Sequence, residues 1–207
     1  FVYNPASGTV LNAGSQNLSA TFTPTDTANY TTATANVTLT VNKAAASVAL
    51  SNLAQAYDAA PKAASASTTP SGLSVTFSYS GTSGTVYGPS ATAPTGAGSY
   101  SVTATINDSN YSGSGSGTLT VNKAAPSISW ATPAAITYGT TLSGGQLNAT
   151  ANVPGNFVYA PASGTVLNGG SQNLSVTFTP TDIANYTTAT ANVTLTVNKA
   201  APSITWA

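Results

Sequence analysis

Internal repetition constrains this chain more than any other feature. Residues 1–43 match residues 157–199 at a constant offset of 156, and only four positions differ: Asn4/Ala160, Ala13/Gly169, Ala20/Val176 and Thr27/Ile183. Between the two copies, V-N-K-A recurs at Val41, Val121 and Val197, with spacings of 80 and 76. Two kinds of module therefore alternate. A repeat of this length implies a tandem array, held together by the intrinsic stability of each module and its contacts with the next.

The best-defined piece of the repeat is the stretch 174–200, LSVTFTPTDIANYTTATANVTLTVNKA. Leu174, Val176 and Phe178 alternate with Ser175, Thr177 and Thr179. Successive side chains of a strand point to opposite faces, so one face is apolar and the other carries hydroxyls. Pro180-Thr181-Asp182 stops the strand, because Pro has no N–H for a ladder and Asp favours local turns. Alternation resumes at Val193, Leu195 and Val197. The pattern predicts a hairpin with a long turn. A rival reading takes Tyr186 as the corner tyrosine of an immunoglobulin domain. It requires a further turn before Lys199, and no Gly or Pro lies there, so the hairpin is preferred. Tyr186 is then expected over the end of the core.

The chain parses into four parts. Residues 1–43 are the C-terminal half of a module; its apolar face is expected to be exposed, so it should not be stable alone. Residues 44–123 form a complete module, with alternating strands around Leu73 to Tyr79 and Tyr100 to Ile106 and a turn at Asn107 to Tyr111. Residues 124–199 form a second complete module, in which Ile128 and Trp130 replace Val48 and Leu50. Residues 200–207, AAPSITWA, restart the pattern of residues 124–131 and are read as the first strand of a further module. The chain opens in mid-repeat and is expected to be a piece of a longer polypeptide. No helical periodicity persists, and short strands with frequent turn signals argue for an all-β fold of sandwiches.

Composition narrows the function. Four Lys, four Asp, and no Arg, Glu or His leave a formal charge of zero. That gives no basic patch for nucleic acid. Ser and Thr, about 30% of the residues, supply the polar faces. A surface so poor in charge also allows self-association. Cys is absent, so no disulfide or thiolate metal site exists. No apolar run approaches the ~18 residues of a membrane-spanning helix. A nucleophilic Ser would need a base beside it. Only Lys or Asp could serve, and Asp26, Asp108 and Asp182 all fall at the same turn, where turn formation explains them. Calcium needs several converging carboxylates, and each module offers one or two. We therefore expect no enzyme, no cofactor, no metal and no membrane insertion. Trp130 and Trp206 occupy the Leu50 position, which points to core packing over a sugar-stacking platform.

Two stretches carry a family resemblance. Y-D-A-A-P-K at 57–62, with A-P-T-G-A-G-S-Y-S-V-T-A-T-I-N-D-S-N-Y at 93–111 and T-L-T-V-N-K-A at 118–124, resembles the bacterial MBG-type Ig-like repeats. I-T-Y-G-T-T-L-S-G-G-Q-L-N-A-T-A at 136–151, with N-F-V-Y-A-P-A-S-G-T-V-L at 156–167, resembles the YGX variety of that group. One departure stands out: Ala59 follows Asp58 where the family often has Gly, which implies an altered turn. The resemblance implies Ig-like sandwich domains strung in long arrays in large secreted or surface-attached, often adhesin-like, bacterial proteins.

The resulting expectation is a head-to-tail rod of Ig-like β-sandwiches: a stalk, spacer or fibre segment whose partners are adjacent repeats. Strands of ~8–10 residues would make each module add roughly 30–40 Å. The alternatives are an adhesin module binding a glycan or host protein, and a subunit that self-assembles into filaments. Nearly all the charge recurs at the junction lysines and the turn aspartates. Lys43 is therefore expected to approach Asp108, and Lys123 to approach Asp182, as inter-domain contacts that set angle more than stability.

Overall fold

The computed structural model describes residues 1–206. It is all-β, and no helix is long and apolar enough to cross a membrane. In chain order the strands begin with β1 (Val2–Asn4), β2 (Gly14–Phe22) and β3 (Ala33–Val41). Next come β4 (Ala44–Ala45), β5 (Ser47–Ser51), β6 (Ala54–Ala56), β7 (Ser65–Thr69), β8 (Val75–Thr82), β9 (Gly98–Ile106), β10 (Tyr111–Ser112) and β11 (Ser114–Asn122). The last group is β12 (Ile128–Ser129), β13 (Ile136–Thr137), β14 (Thr150–Ala151), β15 (Gly155–Ala160), β16 (Gly170–Pro180) and β17 (Ala189–Asn198). The chain divides into two compact units. One comprises Phe1–Leu53, Lys62–Pro94 and Ser99–Leu119; the other comprises Ala54–Pro61, Thr95–Gly98 and the residues from Thr120 on.

In the first unit, β1, β2 and β3 form an antiparallel sheet in that order. β8 and β9 pair antiparallel from Val75↔Ile106 to Thr82↔Ser99, and β11 lies on the other side of β9. β5 and β7 make a separate two-stranded sheet. Tyr79, Tyr100, Val102, Ala104 and Leu119 are buried, as alternation along these strands requires. The buried Tyr79 hydroxyl accepts a hydrogen bond from the Ala64 amide at 3.2 Å, so its polar end is satisfied within the core.

In the second unit, β15, β16 and β17 form an antiparallel sheet, extended by β13, which pairs parallel with β17. β12 and β14 form the facing pair of strands. Leu174, Val176 and Phe178 on β16 and Leu195 and Val197 on β17 are buried, while the hydroxyl residues between them face outward. Trp130, Ile136 and Leu147 pack against Leu142, Leu174 and Leu195 and complete the core. Trp130 meets Tyr159 edge-on at 5.4 Å and donates its indole N–H to the Gln146 carbonyl at 3.0 Å. The Tyr159 hydroxyl accepts from the Ala149 amide at 2.9 Å, the counterpart of the Tyr79 bond. In this unit β6 also pairs parallel with the end of β11, as β13 does with β17.

The predicted hairpin is present, with register from Gly170↔Val197 to Phe178↔Ala189. Its copy in residues 14–41 has the same register, from Gly14↔Val41 to Phe22↔Ala33. Burial separates the two. Leu195 is 0% exposed and its equivalent Leu39 is 42% exposed; Phe178 is 0% exposed and Phe22 is 41% exposed. The residues that cover the second hairpin, Trp130, Ile136, Leu142 and Leu147, belong to 124–156, and the first hairpin has no such segment against it among the described residues.

Trp130 takes the core position, whereas Trp206 is 97% exposed and residues 200–206 form no strand. Residue 207, the last of the expected strand, lies outside the described residues. Tyr186 packs edge-on against Tyr57 at 5.3 Å, outside the core of its own module. Burial displaces water from Tyr57, and the Tyr186, Asp182 and Asp58 oxygens add repulsion, so its phenol is held above its ordinary pKa.

Candidate functional site

Each turn aspartate is engaged by its own turn. Asp26 Oδ1 accepts from the amides of Ala28 and Asn29 at 3.2 Å, and its Oδ2 accepts from the Asn29 side-chain amide at 2.8 Å. Asp182 repeats this, with the Asn185 amide at 3.1 Å and the Asn185 Nδ2 at 2.8 Å. Asp108 Oδ1 accepts from the amides of Asn110 at 2.7 Å and Tyr111 at 3.0 Å. These are Asx turns, in which a short carboxylate takes up backbone donors that the turn leaves open. Among the described residues no group of three or more His, Cys, Asp or Glu could hold a metal ion.

The candidate inter-domain residues meet at two junctions. At the first, the Lys43 ammonium donates to the Asp108 backbone carbonyl at 2.7 Å. At the second, the Lys123 ammonium donates to the carbonyl of Ile183, one residue beyond Asp182, at 2.6 Å. The interaction expected between ammonium and carboxylate is therefore a bond from ammonium to carbonyl. The one-residue difference has a simple origin. The turn runs Asp-Ser-Asn at 108–110 and Asp-Ile-Ala-Asn at 182–185, and in both the accepting carbonyl lies two residues before the Asn. The Asn fixes the geometry, and the Asp holds the Asn.

The asparagines carry the rest of each junction, a role that sequence reasoning assigned to the charges. The Ala44 amide donates to the Asn110 carbonyl at 2.8 Å, and the Ala124 amide to the Asn185 carbonyl at 2.9 Å. The Asn110 Oδ1 accepts from the Ala13 amide, and the Asn185 Oδ1 from the Ala97 amide, each at 2.8 Å. Short parallel pairings follow, Tyr111 with Ala44 and Tyr186 with Ala124. Ala13 and Ala97 both stand in Ala-Gly-Ser at the start of a central strand, a recurrence visible in the sequence once its use is known. Each bond is exposed or part-buried and contributes on the order of 1 kcal/mol or less. Three bonds of different direction nevertheless fix an angle that one would not.

Other features offer less chemistry. A groove of about 410 Å³ beside the last turn is lined by Val153, Pro154, Pro180, Thr181, Asp182 and Tyr186, with a single charged group among them. Lys62 is 6% exposed, a burial that its place in a polar turn segment did not suggest. Its backbone amide donates to the Pro94 carbonyl at 2.8 Å.

A family model described as the MBG domain matches residues 46–125. No curated protein matches the chain in sequence. Among solved structures, Sidekick-1 immunoglobulin domains 1-5 are 13% identical with a TM-score of 0.31, covering 91% of this chain and 46% of that one. The endo-fucoidan hydrolase MfFcnA4 from glycoside hydrolase family 107 is 16% identical with a TM-score of 0.22, covering 91% of this chain and 34% of that one. The chain thus spans less than half the length of either structure. The family match falls on β5 to β11, and it is in residues 46–125 that the chain is similar to the MBG domain.

Proposed function

We propose that this chain is a spacer: a stalk or fibre segment of a large bacterial protein, secreted or held at the cell surface, whose work is to set distance. The observation that carries this reading is the recurrence of one set of bonds at both junctions, Lys to carbonyl, Ala to Asn carbonyl, and Ala to Asn Oδ1. A chain selected to bind a ligand would be expected to vary its loops, since loops carry most binding sites. Here the same turn is spent on the neighbouring repeat. On this reading the chain is no enzyme, needs no cofactor, and has adjacent repeats as its partners.

The test is length. The 207-residue chain and a version carrying one further 156-residue period would be compared by light scattering and small-angle X-ray scattering. The spacer reading expects monomers whose long dimension grows by roughly 30–40 Å per added module. Unchanged length would overturn it, and growth of mass with concentration would replace it with a filament subunit.

A further inference from the structure

Each junction has two halves. One is an edge: the Ala-Gly-Ser start of a central strand, the junction Lys and the Ala after it. The other is a turn: Asp, Asn and Tyr. The chain also carries one copy of each half outside the two junctions. The edge is at Asn168, Gly169 and Gly170 with Lys199 and Ala200, and the turn is at Asp26, Asn29 and Tyr30.

Both of these outlying halves already have the conformation of the docked ones. In the turn, the Asn29 Nδ2 donates to Asp26 Oδ2 at 2.8 Å and the Tyr30 amide to the Asp26 carbonyl at 3.1 Å. The docked turn has the same two bonds at the same lengths, from Asn185 and Tyr186 to Asp182. At the edge, the Gln172 Nε2 donates to the Asn168 carbonyl at 3.0 Å, as the Gln16 Nε2 donates to the Asn12 carbonyl at 2.9 Å where that edge is docked. A Cβ added at Gly169 would meet only ordinary contacts, with Lys199 at 3.7 Å and the Val197 carbonyl at 3.8 Å, so this position accommodates the Ala found at 13 and 97. Tyr30 is 66% exposed. Halves that keep their shape undocked lose little freedom on docking.

We propose that the edge formed by Asn168, Gly169, Lys199 and Ala200 is a docking surface for the Asp-Asn-Tyr hairpin turn of a further repeat. The Gly169 amide donates to the turn Asn Oδ1, the Ala200 amide to the Asn carbonyl, and the Lys199 ammonium to the carbonyl two residues before that Asn. Both kinds of edge and both kinds of turn take part in the two junctions. One sets the edge of residues 12–44 against an MBG-type turn, and the other sets an MBG-type edge against the second kind of turn. This deepens the spacer reading and rests on it.

The experiment extends the full chain by appending residues 132–199 after Ala207, which completes a further module. Residual dipolar couplings would report whether the last two modules share one alignment. The expected result is a shared alignment, lost on substituting the appended copy of Asn185 with Ala while the melting temperature of that module moves by only a few degrees. Lys199→Met should weaken the coupling, and Lys199→Arg should retain it. Independent alignment of the unsubstituted modules, or a shared alignment indifferent to the Asn→Ala change, would overturn the proposal. Scattering on the same samples separates the two readings. Independent alignment with undiminished growth in length removes the clamp and leaves the spacer; shared alignment without growth removes the spacer and leaves the clamp.

Discussion

Ala59 sits at φ 66°, the left-handed region where a Cβ crowds the following carbonyl. The Asp58 carboxylate accepts the Ala60 amide at 2.9 Å across it, so the turn keeps the shape that Gly would favour while carrying a residue that resists it. Ala59→Gly should therefore stabilise the module of residues 44–123 by about 0.5–1 kcal/mol, read as a raised melting temperature. A fall in melting temperature would mean that unfolded-chain entropy outweighs the relief of strain. Asp26 responds in the opposite sense to acid. The Asn29 side chain, followed by backbone donors, holds its carboxyl below the ordinary value of 3.8. A lowered folded pKa contributes stability that is present above the unfolded value and lost as pH falls through the folded one. Hydrogen exchange of the Ala28 and Asn29 amides should accelerate, relative to the intrinsic rate, below pH 3.8 and stay flat above it.

The same β-hairpin occurs twice with opposite fates, and this permits an internal comparison at the level of elements. Leu195→Ala should cost about 2–5 kcal/mol, because it empties a site closed by Leu142 and Leu174. Leu39→Ala, at the equivalent place on β3, should cost about 1 kcal/mol or less, because Leu39 is already 42% exposed. Residue-resolved hydrogen exchange on the two single variants would measure both, and equal losses would contradict the burial difference. Gly113 sets a limit on β4 and β10. A Cβ there would lie 1.9 Å from the Ala46 carbonyl oxygen, so Gly113→Ala should cost about 1–3 kcal/mol and weaken the Tyr111–Ala44 pairing. The Tyr57–Tyr186 contact adds an alkaline limit. With the folded phenol raised, its contribution is complete below the ordinary value of 10.0 and is lost as pH rises through the folded value. An ultraviolet titration of Tyr57→Phe against the parent chain should lack one late-ionising tyrosine.

For the whole molecule, the absence of His and Cys leaves no side chain that ordinarily titrates between about pH 5 and 9. Thermal stability should be flat across that range and nearly insensitive to salt, since exposed charge pairs are few. Much of the architecture is legible without coordinates. The offset of 156, the alternation at Leu174, Val176 and Phe178, and the Pro-Thr-Asp stop specify a hairpin, its register faces and its recurrence. These are local properties, set by strand periodicity and turn chemistry. Only the tertiary structure decided which of two nearly identical hairpins is buried, because burial depends on the segment 124–156 that packs on one of them. Only the tertiary structure moved the junction from the aspartates to the asparagines. Charge made Asp108 and Asp182 conspicuous, but a carboxylate already occupied by its own turn leaves the neighbouring carbonyl and the Asn side chain to meet the preceding repeat.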